Sequence, residues 1–460
     1  MEMDEIIAEM QKRFKPYTEK EGNYRTIPEE GVNRKHILEA MNSIIEIENN
    51  AWETGHVSGA VYNGQKEHVE FTNKAYSIAS QNNPLHPDVW PSSLKFESEI
   101  VSMVRNMLNG DSSVRGSVTS GGTESILLAV KTYRDYAKDK KGITEPEIIL
   151  PKSAHAAFDK ACHYFAIKAV WTELDQNYAA DVNDIREHIN ENTIAIVGST
   201  PCFPYGVIDP IPKISELARK NEVGMHVDAC LGGFILPWAK KLGRNIPDFD
   251  FSLPGVTSIS IDTHKYGYAP KGTSVILYRN SDLIQHQFYV NGSWSGGIYF
   301  SPTMAGSRSG GVIAGTWAAL LEQGKIGYMN ATRKILEASD KTRAGIRKIK
   351  GIREMGQSPF VIAFTSDEVN IYQVMEGMSR RGWILNGLHR PAGVHLALTL
   401  RHTEEGVTDR FLKDLSEVMD EVRANPGEES GMSPVYGMAA TFPEEAVKDF
   451  MRSIVEWMYT

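Results

Sequence analysis

The feature that most constrains the fold is an alternation of short apolar runs with amphipathic segments, which begins near residue 145. The apolar runs are candidate strands, and they cover residues 147–150, 169–171, 194–199, 224–227, 258–261 and 274–278. Segments with helical spacing of apolar residues lie between them, at 156–165, 182–189 and 211–220. Strands that alternate with helices form a mostly parallel sheet covered on both faces. The sequence therefore predicts an α/β fold, and the last two runs are candidates for an antiparallel member.

The length of 460 residues exceeds what one small core organises, so we expect a large domain and smaller additions. Residues 1–60 read as an N-terminal helical segment, with a helix over 33–47. Residues 61–320 form the predicted large domain. Residues 321–460 form a predicted small α/β domain that holds further strands and helices. The predicted elements of this last part are a long helix over 311–350, strands at 360–365 and 393–399, helices at 369–381 and 408–424, an exposed loop at 425–443 and a last helix at 444–458.

Charge and composition exclude several classes of protein. The 49 Lys and Arg against 58 Asp and Glu give a net charge of −9, which argues against a broad nucleic-acid-binding surface. The three cysteines form no CxxC pair, so neither a disulfide framework nor a cysteine zinc site is predicted. The first residues do not resemble a secretory signal, and no apolar run approaches the about 20 residues of a membrane helix. We expect a cytoplasmic protein without a transmembrane segment, while a role as a secreted effector is not readable from the sequence.

A glycine-rich segment, Ser120-Gly121-Gly122-Thr123-Glu124-Ser125, opens a predicted helix after a short extended run. Glycine lets the backbone approach a ligand, and a helix N-terminus offers free N–H groups and the positive end of a dipole. These properties suit a phosphate. Alone, such a segment is more often a capped turn.

Three further residues lie just after candidate strands, where open α/β sheets bind ligands. Asp228 ends the 224–227 run, Lys265 follows the 258–261 run, and His155 follows the 147–150 run. Each has a common structural alternative, which is a capping Asp, a solvated Lys or a helix-start His. A metal pair of His226 and Asp228 lacks an obvious third ligand, so no metal is predicted.

The glycine-rich segment, Asp228, Lys265 and His155 are more specific together than each is alone, because their chemistry together matches pyridoxal 5'-phosphate (PLP). Its phosphate needs a cradle, its ring nitrogen needs a carboxylate, its ring can stack on an imidazole, and its aldehyde needs a lysine amine.

At these residues the chain resembles the fold type I PLP-dependent enzymes of the group that includes glutamate and aromatic amino-acid decarboxylases. It resembles the sphingosine-1-phosphate lyase family more closely still. The blocks that carry this resemblance are 55–62, 83–87, 116–125, 153–160, 226–237, 257–271 and 296–308.

The resemblance implies a role for each matching residue. Lys265 forms a Schiff base with PLP, and the cofactor-binding set is Gly121, Gly122, Thr123, His155, Asp228, His264, Lys265 and Ser307. Substrate-binding positions are Tyr62, Asn83 and His86, although a proline-bounded turn also explains the last two. Further catalytic candidates are Lys271, Tyr299 and Tyr436. The family's sites are completed across a homodimer, with the loop 306–308 expected to reach the neighbouring site.

The implied reaction is a retro-aldol cleavage of a phosphorylated sphingoid base, sphingosine 1-phosphate, to a long-chain aldehyde and phosphoethanolamine. A PLP-dependent amino-acid decarboxylase of the same fold is the alternative, and a non-catalytic binder of PLP or a lipid phosphate is a third reading. Two departures stand out. The eukaryotic lyases' membrane anchor has no counterpart here, which favours the soluble bacterial type. Phe203 lacks the hydroxyl that a tyrosine-based proton transfer at that position requires.

Overall fold

The computed structural model describes residues 14–16, 24, 26–48, 50–426 and 443–459. We number the helices in chain order: α1 (Arg34–Ile45), α2 (Lys66–Ile78), α3 (Pro91–Met107), α4 (Gly122–Lys141), α5 (Ala156–Phe165), α6 (Val182–His188), α7 (Ile211–Lys220), α8 (Leu236–Lys241), α9 (Ser281–Gln285), α10 (Gly310–Ile346), α11 (Ile371–Arg380), α12 (Val407–Ala424) and α13 (Glu444–Met458). Short 3₁₀ turns occur at Asn50–Trp52 and Leu400–Thr403.

The strands are numbered in the same way: β1 (Arg115–Thr119), β2 (Glu147–Pro151), β3 (Lys168–Thr172), β4 (Thr193–Ser199), β5 (Gly224–Asp228), β6 (Ser258–Ile261), β7 (Ser274–Tyr278), β8 (Tyr289–Asn291), β9 (Tyr299–Ser301), β10 (Ile352–Glu354), β11 (Val361–Ser366), β12 (Asn386–Leu388) and β13 (Gly393–Ala397). All six strands predicted between 147 and 278 are present, with bounds that differ by at most one residue at either end.

The central sheet has seven strands in the order β1-β7-β6-β5-β4-β2-β3. The pairs β2–β3, β2–β4, β4–β5 and β5–β6 are parallel, whereas β7 runs antiparallel to both β6 and β1. The predicted mostly parallel α/β sheet is confirmed, and β7 is its antiparallel member. Since β1 and β6 both oppose β7, the carboxyl ends of β1, β2, β4, β5 and β6 lie at one edge. That edge is where ligand-binding residues are expected.

The sheet is buried between two apolar layers, because β2, β4, β6 and β7 are buried at every position. Helices α4 and α5 cover one face, where Tyr133 and Phe158 are almost fully buried. The other layer includes Ile214 of α7 and Ile100 of α3. Burial on both faces explains the near-continuous apolar runs that marked these strands in the sequence.

A second, antiparallel sheet follows, in the order β10-β11-β13-β12. The predicted strands at 360–365 and 393–399 correspond to β11 and β13. Helix α10 contacts both the α2–α3 region and this second sheet, and the predicted boundary at residue 320 falls within it. Its helical geometry is interrupted at Gly324, with φ 53° and ψ 179°. The domain boundaries at 60 and 320 stay predictions.

The N-terminal helix α1 lies within the predicted 33–47 range and begins at Asn33, whose side chain accepts the N–H of Lys35. Its apolar residues are 43–60% exposed, so the described part of the chain does not cover them: Ile37, Leu38, Met41, Ile44 and Ile45. The predicted loop at 425–443 lies almost entirely outside the described residues, whereas the last helix α13 agrees with the prediction. Among the helices described, none combines the length and apolar character needed to cross a bilayer.

Candidate active site

A cavity of about 380 Å³ opens at the carboxyl edge of the central sheet. The segments that follow β1, β2, β5 and β6 supply its walls, as the strand directions require. It is lined by most of the predicted cofactor-binding set: Gly121, Gly122, Thr123, His155, Asp228, His264 and Lys265. Residues that lie up to 144 positions apart in the sequence thus come together at one place, which we call the Lys265 cavity.

The glycine-rich segment forms one wall of this cavity. Gly121 has φ 145°, a conformation that favours glycine, and helix α4 begins at Gly122. A Cβ on Gly122 would lie 2.7 Å from an Asp262 carboxylate oxygen, so a larger residue would force the Asp262 side chain to shift. The Glu124 side chain accepts the Ser120 N–H at 2.6 Å and fixes the turn. The N-terminus of a 20-residue helix, approached through glycines, suits a phosphate.

Lys265 lies opposite, with its ammonium nitrogen 2.8 Å from the Asp262 carboxylate. Burial by itself lowers the pKa of Lys265, but the Asp262 charge outweighs burial and raises that pKa above its ordinary value. Burial likewise opposes ionisation of Asp262, and Lys265 together with His264 keeps the pKa of Asp262 below its usual range. Lys265 and Asp262 therefore form an ion pair when no ligand is bound.

Asp262 is a site residue that the sequence analysis missed. It is 2% exposed, and its second carboxylate oxygen has no hydrogen-bond partner among the described residues. A buried polar atom of this kind normally has a partner, so the cavity is suited to a ligand that supplies one. Its position three residues before Lys265 was the only signal in the sequence.

Asp228 ends β5 and is 7% exposed. One carboxylate oxygen accepts the Cys230 N–H at 3.0 Å, and the residue lines the cavity. The neighbouring His226 contacts the hydroxyls of Ser258 and Ser260 at 2.7 and 3.0 Å. Burial lowers the pKa of His226 to about 4, so its ring is neutral. Asp228 is therefore the anionic group of this strand that faces the cavity.

His155 lies both at the start of a helix and at the cavity wall, so its position agrees with the structural and the ligand-binding interpretation of the sequence. Its Nδ1 accepts the Ala157 N–H at 3.1 Å and caps α5, while its exposed ring lines the cavity. Phe203 also lines the cavity, and its ring lies 6.3 Å from that of His155 and 4.7 Å from that of His395. Phe203, which differs from the family pattern by lacking a tyrosine hydroxyl, thus places a phenyl ring at the cavity wall.

Tyr62 and Lys271 lie beside Lys265 in the same chain. The Lys271 nitrogen is 4.7 Å from the centre of the Tyr62 ring and donates to the Ala60 carbonyl at 2.6 Å. Desolvation, followed by the charge of Lys265, lowers the pKa of Lys271 to about 8. Desolvation raises the pKa of Tyr62 to about 12, and the Lys265 charge opposes that rise. Lys271 can therefore change protonation state near neutral pH.

His68, which the sequence analysis did not single out, contacts the loop that carries Lys265 at the Tyr268 carbonyl. The ring of this 5% exposed histidine lies 2.5 Å from the Glu322 carboxylate and 2.6 Å from the Tyr268 carbonyl. The two contacts engage both nitrogens of the ring. His68 thus ties α2 and α10 to the segment after Lys265.

The other predicted residues form a separate group. The Asn83 amide donates to the Ser307 hydroxyl at 3.0 Å, and its carbonyl oxygen accepts the Arg308 N–H at 3.3 Å. His86 lies in the same proline-bounded turn, and the Tyr299 hydroxyl lies beside Gly306. None of these four predicted residues, Asn83, His86, Tyr299 and Ser307, lines the Lys265 cavity of its own chain.

Ser307 lines instead an adjacent cavity of about 200 Å³, which shares Ser120 and Glu124 with the Lys265 cavity. The Arg308 guanidinium forms a bidentate pair with Glu97 at 2.9 and 3.0 Å and also contacts the Val118 carbonyl. Arg308 is therefore anchored on its own chain. Tyr436 lies outside the described residues.

The hairpin β8–β9 beside this group exposes large apolar side chains. The exposed fractions of five of them lie between 53% and 78%: Tyr289, Val290, Trp294, Ile298 and Phe300. A concentration of exposed apolar side chains of this kind marks an interaction surface.

Comparisons with known proteins agree with this geometry. The model of the pyridoxal-dependent decarboxylase conserved domain matches residues 16–361. The sphingosine-1-phosphate lyase of Arabidopsis thaliana is 46% identical over 453 residues, which cover 96% of this chain and 82% of that protein. The solved structure of a Burkholderia pseudomallei sphingosine-1-phosphate lyase has a TM-score of 0.88 and 41% identity, and the match covers 93% of this chain and all of that one.

The glutamate decarboxylase of Lactobacillus brevis has a TM-score of 0.74 at 18% identity, with 86% of this chain and 95% of that chain covered. At this identity the likeness concerns the fold alone. The predicted fold type I architecture, with a large sheet among helices and a smaller sheet beside it, is confirmed.

Proposed function

The chain belongs to the pyridoxal-dependent decarboxylase family and, within it, to the sphingosine-1-phosphate lyases, and on this premise we propose that it is a PLP-dependent carbon–carbon lyase. Its proposed substrate is a phosphorylated long-chain base, sphingosine 1-phosphate, and its products are a long-chain aldehyde and phosphoethanolamine. The observation that carries the proposal is the 46% identity to a curated lyase over almost the whole chain. The decarboxylase structure shares the fold at only 18% identity.

The residues of the Lys265 cavity fit PLP. The glycine-lined N-terminus of α4 would hold its phosphate, Asp228 its ring nitrogen, and His155 one face of its ring. The unpartnered Asp262 oxygen supports a ligand at this place. When bound, PLP supplies an electron sink for the negative charge left on the substrate carbon. His264 lies at the cavity wall, whereas Ser307 lies outside this cavity in its own chain and would contribute from the partner of the proposed homodimer.

Lys265 is the proposed point of covalent attachment. Its Nζ carries a proton that Asp262 stabilises at 2.8 Å, and an amine must lose that proton before it can act as a nucleophile. Asp262 is placed to accept or share it. The buried carboxylate thus controls when the Lys265 amine is free.

Lys271 is the proposed group that moves a proton on the substrate side. Its pKa of about 8 lets Nζ hold a proton at neutral pH and lose it slightly above. General acid–base groups work best when their pKa lies near the operating pH. Tyr62 lies against Lys271, and Tyr299 and Tyr436 remain the other candidates from the sequence.

Substrate phosphate recognition is assigned to Tyr62, Asn83 and His86. Asn83 and His86 do not line the Lys265 cavity of their own chain, while the β8–β9 hairpin next to them exposes apolar side chains. We infer a homodimer in which this group from one chain reaches the cavity of the other. A reducing, cytoplasmic compartment accords with three cysteines that are free and buried.

The decisive experiment is product analysis after incubation of the PLP-loaded protein with sphingosine 1-phosphate. Long-chain aldehyde and phosphoethanolamine in equal amounts are expected. Carbon dioxide released from amino acids, without aldehyde from the phosphorylated base, would favour the decarboxylase. Stoichiometric PLP binding without any turnover would favour a binding protein.

A further inference from the structure

A second cavity, of about 660 Å³, lies between α3, α8 and the interruption of α10. None of its lining residues lines the Lys265 cavity. Its walls are mainly apolar, and the side chains that matter here are Met103, Met107, Phe234, Trp238, Leu320 and Tyr328. Cavities of this size and character accommodate small molecules.

The aromatic wall of this cavity is ordered. The rings of Trp238 and Tyr328 are parallel within 5°, with centroids 5.8 Å apart, and Phe234 lies 5.5 Å from Tyr328. The Tyr328 hydroxyl donates to the Gly267 carbonyl at 2.8 Å, so that ring is fixed from behind. A wall held in this way is formed before any ligand arrives.

One polar group of the wall has no partner in the described residues, and a helix break lies beside it. The indole N–H of Trp238 is buried and has no hydrogen-bond partner among the described residues, although buried tryptophan N–H groups normally find one. At Gly324 the helix α10 leaves helical geometry, and this residue also lines the cavity.

Charge at the cavity is opposite to that of the whole chain. The lining carries four cationic side chains and only two carboxylates, in a protein with a net charge of −9. Lys240 is paired with Asp248, and Asp250 accepts from Asn109. The remaining cations, Arg105, Lys241 and Lys325, form no ion pair within the described part of the chain, and Lys241 lies over the Trp238 ring at 4.7 Å.

We propose that this cavity binds a single-chain amphiphile with an anionic head, and we commit to a long-chain alkyl phosphate as its class. The alkyl tail lies along the Trp238–Tyr328 wall, and the phosphate meets Lys241, Lys325 and Arg105. The site is separate from the Lys265 cavity, so the inference goes beyond the proposed reaction and holds whether or not that reaction is the right one.

Calorimetry on the full-length, PLP-loaded protein tests this with dodecyl phosphate below its micelle concentration. We expect saturable binding of one molecule per chain at this cavity, tightened by roughly fourfold for each methylene added from decyl to dodecyl phosphate. Dodecanoate is expected to bind more weakly, because it carries less charge, and dodecyltrimethylammonium and inorganic phosphate are expected not to bind. Equal binding of the cationic amphiphile would overturn the proposal.

The matched variants reverse two charges each. Lys241→Glu with Lys325→Glu is expected to weaken dodecyl phosphate binding at least tenfold. Lys213→Glu with Lys220→Glu, an equal change of charge on α7, is expected to leave it unchanged. Both proteins should keep their PLP absorbance and their turnover of sphingosine 1-phosphate. If the variant with Lys241→Glu and Lys325→Glu binds dodecyl phosphate with unchanged affinity, the ligand binds at another site, such as the Lys265 cavity. The proposal would then be wrong.

Trp238→Phe supplies an independent measurement. Quenching or shift of tryptophan fluorescence on titration should disappear in this variant, while calorimetry still detects the ligand. A fluorescence change that persists unaltered would show that the amphiphile does not contact this wall.

Discussion

The Lys265 cavity and the region of the β8–β9 hairpin with its neighbours Asn83 and Ser307 differ in what completes them. In the cavity, Lys265 is paired with Asp262, and Asp228 accepts a backbone N–H, all from one chain. In the hairpin region, by contrast, Trp294, Ile298 and Phe300 are more than half exposed. The first arrangement is set by the fold of a single chain, whereas the second leaves large apolar side chains exposed on that chain.

In the proposed homodimer, one chain would contribute to the proposed reaction in two separable ways. It would build the cofactor pocket within itself, and it would offer Asn83 and Ser307 to its partner. Substitutions in the Lys265 cavity and substitutions in the hairpin region should therefore change different measured properties.

The largest expected effect is that of Lys265→Ala. Removal of the amine should abolish the visible absorbance of the PLP–lysine Schiff base and lower kcat by roughly 10³-fold or more. Absorbance spectra and aldehyde release measure the two effects, and Lys271→Arg should retain the absorbance. Normal turnover by Lys265→Ala would refute the assignment of the cavity as the reaction centre.

The next effect is a gain, obtained by mixing two inactive variants. Chains with Lys265→Ala and chains with Asn83→Ala should each be inactive, yet their heterodimers contain one intact site if Asn83 serves the partner's cavity. After subunit exchange, about a quarter of wild-type activity is expected. If activity does not return although mass spectrometry detects the heterodimer, Asn83 acts on its own chain and the comparison fails.

Gly122→Ala should act on the cavity alone. The new Cβ would lie 2.7 Å from an Asp262 oxygen and 3.0 Å from the Cys230 sulfur, and overpacking of this kind costs about 1–3 kcal/mol. PLP affinity, measured by titration of the apoprotein, should fall by about 10- to 100-fold, while the oligomeric state stays unchanged. Gly31→Ala, where a Cβ would meet nothing within 4 Å, is the control.

The smallest expected effect is in the pH profile. Because the pKa of Lys271 is lowered to about 8, its amine is protonated below that pH and neutral above it. If the neutral amine accepts the substrate proton, kcat should fall about tenfold per pH unit below 8 and level off above. Lys271→Arg should remove this dependence, and an unchanged profile would assign the proton transfer to another group.

The large sheet could be predicted because its strands are buried on both faces and are therefore continuous apolar runs. Strands such as β10 and β12 span three residues each, which is too short for any periodic signal, and they were missed. The edge strand β1 was read only as an extended run, since its pairing with β7 joins residues about 160 positions apart.

For the site, residue types and strand ends were enough to bring Gly121, His155, Asp228 and Lys265 together. Asp262 was missed because one carboxylate near a lysine is common in any sequence, and only burial makes it a partner. Residue types and strand ends did not predict that Asn83 and Ser307 lie outside the cavity of their own chain, and only the family resemblance implied a role in the neighbouring site for the loop 306–308.

Glu124 has a consequence for how cofactor loading and assembly depend on each other. One of its carboxylate oxygens accepts the Ser120 N–H at 2.6 Å, and the other accepts the Met304 N–H at 2.8 Å, in the loop after the exposed hairpin. A single side chain thus joins the turn proposed to hold the phosphate to the loop proposed to meet a partner. Binding at either place should then alter the affinity at the other by the same factor, as linkage requires. We expect the dissociation constant of the proposed dimer to fall when both chains bind PLP, by the square of the factor by which dimerisation tightens PLP at each site.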